Sequence, residues 1–296
     1  MIAKSGLRPG AVFIKQLLIL ALTIAAIVLS SAAQAEPTAE VVSRSEVTFQ
    51  PLNPARGDAS PRAGVLWGDI RKDVPSGALI VFADGFSSPP HIHNVTYRAV
   101  VISGAVHNDD PDAESLWMGS GSFWTQPAGE THITAAARGS VATAFLEILE
   151  GPYLVKPPDE AFDNGQRPVN VEARNIVWLD SSEITWVDQR GTPAHAVGPK
   201  MAFLWGNPQD GQKNGTFLKL PAGSSGELRG DDSWMRAVLI QGHASHQVSG
   251  HEREQNLEPG SYFGSKGATP HTVTCKAKDD CLIYVSIEGK YNFTQM

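Results

Sequence analysis

Two histidines one residue apart, His91 and His93, stand in a run that reads as β-strand, and a third, His132, follows behind a Pro127-Ala128-Gly129 turn. The full spacing is Gly85-x5-His91-x-His93-x3-Tyr97-x6-Gly104, then Gly121-x5-Pro127-x-Gly129-x2-His132. Residues i and i+2 on a strand share a face. His91 and His93 can therefore aim into one cavity, and His132 can close the set. Neutral imidazole suits zinc, iron, nickel and copper. Three ligands on one side leave positions open for water or substrate, which separates a catalytic site from a closed structural one. A lone strand histidine would be read as a core or surface group. Three at this spacing predict a metal site of His91, His93 and His132.

The elements that must hold these residues are strands. Short runs rich in Val, Ile, Phe and Trp, such as 78–82, 98–102, 143–148, 217–220, 237–240 and 282–287, alternate with Gly, Pro and Asp clusters. That is the pattern of an all-β barrel or sandwich. No stretch after the first 35 residues carries a long helical period.

With these residues in place, the spacing resembles the two signature motifs of the cupin superfamily, a group of small β-barrels. The segments HIHNVTYRAVVISGAVHNDDPDAE and GSFWTQPAGETHITAA also resemble a narrower family of two-cupin proteins, similar to ChrR-like and acetylacetone-dioxygenase-like cupins. The resemblance covers most of the chain after residue 40. It implies jelly-roll barrels of the double-stranded β-helix type and a mononuclear metal site. Tyr97 stands where the first motif usually carries Glu. Three roles compete for it: a tyrosinate ligand, a hydrogen-bond donor to bound substrate or oxygen, or core packing. A phenol with an ordinary pKa of about 10 makes the neutral donor beside the ligands the economical choice. Three-histidine cupins of this kind include dioxygenases that cleave diketones or oxidise thiols. Losing the Glu moves the chain away from oxalate-acting members. The alternative is a metal-containing module that binds or senses a small molecule without turnover.

The chain repeats itself. SEVTF (45–49) recurs as SEITW (182–186), LWGD (66–69) as LWGN (204–207), RAVVISG (98–104) as RAVLIQG (236–242), GSFW (121–124) as GSYF (260–263) and LEGPY (149–153) as IEGKY (287–291). The offsets stay within 137–139, which predicts two tandem barrels from an internal duplication. The expected bounds are an N-terminal barrel over 36–156, a linker over 157–174 with room for a short helix, and a C-terminal barrel over 175–296. Residues shared by the halves, such as Arg98 with Arg236 and Trp67 with Trp205, read as scaffold. At an offset of 138, His91 maps to Arg229, His93 to Asp231 and Tyr97 to Met235, while His132 maps to His271. The second barrel is therefore expected to be degenerate, with Arg229 as a possible anion-binding group in its cavity. One divalent transition metal (Fe, Zn, Mn or Ni) is expected, in the first barrel only. Gln126 and Glu130 have the parity to face that cavity. His107, in the polar turn HNDDPDAE (107–114), reads as exposed, Asp109, Asp110, Asp112 and Glu114 as a solvated turn, and His195, His243, His246 and His251 receive no role.

Residues 1–35 read as a secretory signal peptide: a basic start (Lys4, Arg8, Lys15), an apolar run from Leu17 to Leu29, and Ala-x-Ala-type cleavage after Ala35. This predicts an exported protein, periplasmic in a Gram-negative source, with no stable membrane anchor after cleavage. Removal takes away three basic residues and no acidic ones, moving the formal net charge from −7 to −10. Without a basic stripe, such a surface argues against nucleic acid. The expected partner is a small-molecule substrate or ligand. The two cysteines, Cys275 and Cys281, flank a polar turn and can pair in an oxidising compartment. A loop this short would contribute about 2–3 kcal/mol at most.

Overall fold

The computed structural model describes residues 39–188, 198–250 and 253–296. The expected leader, His195 and His251 lie outside the described residues. Ala39–Met296 forms one compact unit. Its helices, among the described residues, are short 3-10 turns, and everything else regular is strand.

Two seven-stranded sheets dominate. The first runs Val169–Val171, Phe123–Gln126, Tyr97–Ser103, Ala142–Ile148, Ser76–Phe82, Arg62–Trp67, Gln50–Pro51. The second runs Ala39–Val42, Tyr262–Lys266, Trp234–Gln241, Cys281–Glu288, Lys213–Leu220, Lys200–Gly206, Leu179–Asp180. Taken position by position, the orders correspond. The edge strands sit out of sequence. Ala39–Val42 pairs with Tyr262–Lys266 of the second half. Val169–Val171, inside the expected linker, pairs with Phe123–Gln126 of the first. That linker thus supplies a strand, along with the 3-10 turns Pro158–Glu160 and Ala173–Asn175.

Strand parity explains why the central strands read as unbroken apolar runs: both faces are buried. Along Ala142–Ile148 every residue is buried. Ala142, Ala144, Leu146 and Ile148 fill the first barrel, while Phe145 points the other way into a cluster shared with the second half. In the second barrel Ile283, Val285 and Ile287 point inward, and Leu282 and Tyr284 outward into the shared cluster. There the repeated residues meet crosswise. Arg98 lies 3.9 Å over the Trp205 ring, and Arg236 lies 5.4 Å over Trp67. Tyr284 donates to the buried Glu147 carboxylate at 2.7 Å and accepts from Trp205 Nε1 at 2.9 Å. The scaffold reading of Arg98, Arg236, Trp67 and Trp205 thus has a physical content: each arginine of one half holds a tryptophan of the other.

The remaining faces differ. In the second half, Val187–Asp188, Asn292–Gln295, Ser225–Arg229, Pro270–Cys275, Ala244–Val248 and Gln255–Leu257 make one continuous six-stranded sheet. In the first, the ladder is broken into Ile92–His93 with Val155–Lys156 and Val106–Asp109 with Ile133–Ala136, plus single bridges. Pro89 and Pro90 lack the N–H a ladder needs. A disulfide joins Cys275 to Cys281, with Cα atoms 5.7 Å apart. Because their strands belong to different sheets, it ties the six-stranded sheet to the seven-stranded one instead of cross-linking one hairpin ladder.

Two outcomes follow. Tyr284→Phe removes a donor from the buried Glu147 and should lower unfolding free energy by about 1–3 kcal/mol in urea titration; an unchanged midpoint would remove this contact from the interface. Under denaturing conditions, the unreduced protein should take up no alkylating reagent at Cys275 or Cys281, and should label at both after reduction.

Candidate metal centre

The histidines converge through backbone pairing. His91 and His132 form an isolated antiparallel bridge, each N–H donating to the other's carbonyl at 3.0 Å. Directly opposed residues on an antiparallel pair project to one face, and His93, two residues along, joins them. Gly129 fixes the approach of the third ligand's turn. Its N–H donates to the His93 carbonyl at 2.8 Å, its φ is +79°, and a Cβ there would lie 2.3 Å from the Phe162 carbonyl oxygen. Only glycine fits such a position.

Each imidazole is oriented by the main chain. His91 Nδ1 lies 2.9 Å from the Pro89 carbonyl, His93 Nδ1 3.0 Å from that of Leu154, and His132 Nδ1 3.1 Å from that of Glu130. A carbonyl can only accept, so Nδ1 carries the proton in all three rings and Nε2 is left with its lone pair. The ligating atoms of the three residues lie within 4.8 Å of one another. Burial holds all three below the ordinary imidazole value. His93 is pushed well below it, with the neighbouring histidines adding to the effect. His132 is lowered to about 3, and His91 is lowered with Arg56 assisting. The rings are neutral, inward-facing donors, which is the state a divalent ion requires. These residues fit such an ion.

Two tyrosines stand over the donors. Tyr97, expected beside the ligands, donates its hydroxyl proton to Asn108 Oδ1 at 2.9 Å, and its oxygen lies 3.5 Å from His132 Nε2. Asn108 Oδ1 also accepts from Thr134 at 2.7 Å, and Asn108 Nδ2 donates to Gln126 Oε1 at 2.9 Å. With its proton committed, Tyr97 presents a lone pair to the site, so it acts as an acceptor there and not as the donor its sequence position suggested. Burial raises its phenol pKa, which opposes tyrosinate. Tyr153 was not singled out by the sequence reading. Its ring stacks on His93 at 4.3 Å and its hydroxyl lies 3.1 Å from His93 Nε2. With Nε2 unprotonated, Tyr153 is the donor. Asn108 was missed as well. Its signal was weak: a polar residue on a strand, in a segment read as a turn.

Several expectations are corrected. His107 is buried, not exposed, because it lies on the strand Val106–Asp109 with Nδ1 3.3 Å from the Leu116 carbonyl. Gln126 is buried in the Asn108 network, whereas Glu130 serves through its carbonyl, which holds His132 and accepts from Gln126. Arg229 is exposed and paired with Glu227 at 2.7 Å, so it does not enter the second barrel's interior. The inward residue is Leu228, cross-strand from His271 as His91 is from His132. The correspondence therefore slips by one there, to Leu228 and Gly230. Met235 pairs with Ser265 as Tyr97 pairs with Gln126. His271 is held by Ser265 and His246, each at 2.9 Å. Among the described residues, His91, His93 and His132 form the one His/Cys/Asp/Glu group with metal-binding geometry. Asp110, Asp112 and Glu114 lie in the exposed turn expected of them.

Above the imidazoles lies a cavity of about 380 Å³, with His91, His93, Tyr97 and Tyr153 on its wall. A jelly-roll barrel with inward histidines is the arrangement of the cupin fold. The chain belongs to the family described as Domain of unknown function (DUF4437), whose model matches residues 40–294. No curated protein matches the sequence. Solved structures share the fold. A candidate dioxygenase from Nostoc punctiforme is 12% identical with a TM-score of 0.63, over 86% of this chain and 83% of its own. A salicylate 1,2-dioxygenase variant from Pseudoaminobacter salicylatoxidans is 14% identical with a TM-score of 0.52, over 95% of each chain. A Bacillus subtilis oxalate decarboxylase variant is 15% identical with a TM-score of 0.51, over 86% of this chain and 78% of its own.

The depressed histidines set a pH dependence. They are neutral in the fold and take up protons from about pH 6.5 downward when the chain unfolds. The metal-free protein should therefore be fully stabilised above 6.5 and lose stability as pH falls toward 3, where His132 titrates in the fold. Each such histidine contributes a slope of about 1.4 kcal/mol per pH unit. Urea midpoints at pH 7 and pH 5 measure it. His132→Asn should flatten the slope, and an equal slope in that variant would show that His132 is not held neutral.

Proposed function

We propose that this chain is an exported two-barrel cupin holding one divalent metal ion on His91, His93 and His132, and that it is a metal-dependent, dioxygenase-like enzyme on a small organic molecule that binds through oxygen. The observation that carries the reading is the convergence of three main-chain-oriented Nε2 lone pairs under a cavity. Dioxygenases and a decarboxylase among the solved relatives of this fold add support of a general kind, since fold alone does not fix chemistry. A bound ion would supply Lewis acidity, or with iron a site for oxygen. The chain's own residues do the rest. The carbonyls of Pro89, Leu154 and Glu130 hold the imidazoles in one tautomer. Tyr97 offers an acceptor to the bound molecule. Tyr153, whose proton points at His93 Nε2 in this structure, becomes a free donor once that lone pair is taken. The apolar wall excludes water. The matching sheet orders support a duplication in which only the first barrel keeps the site.

Purified mature protein should carry about one metal per chain by elemental analysis. His93→Ala should lose it, since a missing ligand costs more than the tenfold to hundredfold typical of an outer hydrogen-bond partner. Tyr97→Phe should keep it while ligand binding or turnover falls. Two ions per chain, or an unchanged His93→Ala, would contradict the single site. Tightly held zinc with no turnover would point instead to a binding or sensing module.

A further inference from the structure

The charges around the cavity indicate what it takes. Its walls are largely apolar, with Ile80, Phe82, Phe86 and Leu146 among them. No carboxylate lines it, and the single charged side chain on its wall is Arg56. Arg56 sits on the 3-10 segment Pro54–Ala59. That segment is held by Asn53, whose Oδ1 accepts from the Ala55 N–H at 3.0 Å and whose N–H donates to Ser60 Oγ at 2.9 Å. The guanidinium carbon lies 6.0 Å from the Phe86 ring centroid. Among the described residues no carboxylate lies within ion-pair distance of it.

The inner end of the cavity adds to the imbalance. Neutral imidazoles and neutral phenols give a divalent ion no compensating negative charge. A cation at each end of an apolar chamber attracts an anion more strongly than either would in water. An arginine fork matches a carboxylate in two parallel hydrogen bonds.

We propose that the site takes a small organic carboxylate with an apolar body, and that Arg56 is the specificity-determining residue that fixes its carboxylate at the outer end while the body lies against Phe86 and its neighbours. The inner end of this arrangement rests on the metal reading above; the outer end does not.

The test titrates benzoate and its neutral isostere benzamide into wild type, Arg56→Lys and Arg56→Gln by calorimetry, each zinc-loaded and again after chelation. Arg56 is exposed, so unchanged thermal unfolding should confirm that the variants fold. Benzoate should bind wild type, weaken about tenfold or more in Arg56→Gln, and fall between the two in Arg56→Lys, which keeps the charge but not the fork. Benzamide should bind weakly and equally to all three. If the Arg56 dependence persists while zinc neither binds nor matters, the metal reading fails and the Arg56 assignment stands. If benzoate binds Arg56→Gln as it binds wild type, or benzamide binds as tightly as benzoate, the assignment is overturned. Absence of benzoate binding to wild type at millimolar concentration overturns it as well.

Discussion

The constraint on which the site depends is the commitment of each imidazole Nδ1 to a main-chain carbonyl. Pro89, Leu154 and Glu130 supply those carbonyls. Each can accept but not donate, so the protons stay outside and the lone pairs face in. Carbonyls of this kind belong to the backbone, so the tautomers are set by the path of the chain and not by a side chain that could rotate. The broken ladder of the first barrel serves the same end. A continuous sheet, like that of the second barrel, would consume these carbonyls in strand pairing.

The second barrel shows what the same framework does without the site. Leu228 and Met235 join its apolar core. His271, which lies where His132 lies in the first barrel, is committed to Ser265 and His246. Burial lowers His246 to about 3 and His271 to about 4, so both stay neutral as members of a hydrogen-bonded chain. Between the two barrels lies a third apolar cluster, in which the crosswise arginine–tryptophan contacts and the Tyr284–Glu147 bond join one half to the other. The strand that carries Tyr97 thus has its far face, with Val100 and Ile102, buried in that shared cluster, while the histidines sit on the opposite, broken ladder.

Much of this was legible in the sequence because strands have a period of two. That period places His91 and His93 on one face, and the repeat of RAVVISG as RAVLIQG marks the scaffold arginines. What escaped was set by pairings between distant segments. Tyr153 lies 60 residues beyond His93 and reaches it only because Val155–Lys156 pairs with Ile92–His93. Asn108 and His107 were read as a turn because acidic residues follow them, yet the strand Val106–Asp109 pairs with Ile133–Ala136 and buries both. The one-residue slip at Leu228 is invisible to a fixed offset. It alters which residue faces inward, since a shift of one exchanges the faces of a strand. Arg56 could not be found by pattern at all, for it lies on an irregular segment remote from both motifs.

The central claim is that the three Nε2 atoms hold one metal ion and that the second barrel holds none. Anomalous diffraction from crystals of the metal-loaded protein, recorded at the absorption edge of the metal, tests it most directly. The account predicts a single peak about 2.0–2.2 Å from Nε2 of His91, His93 and His132, with the Nδ1 atoms still on their carbonyls. A peak beside His246 and His271, a peak at the Asp109–Glu114 turn, or no peak beneath the cavity would contradict it.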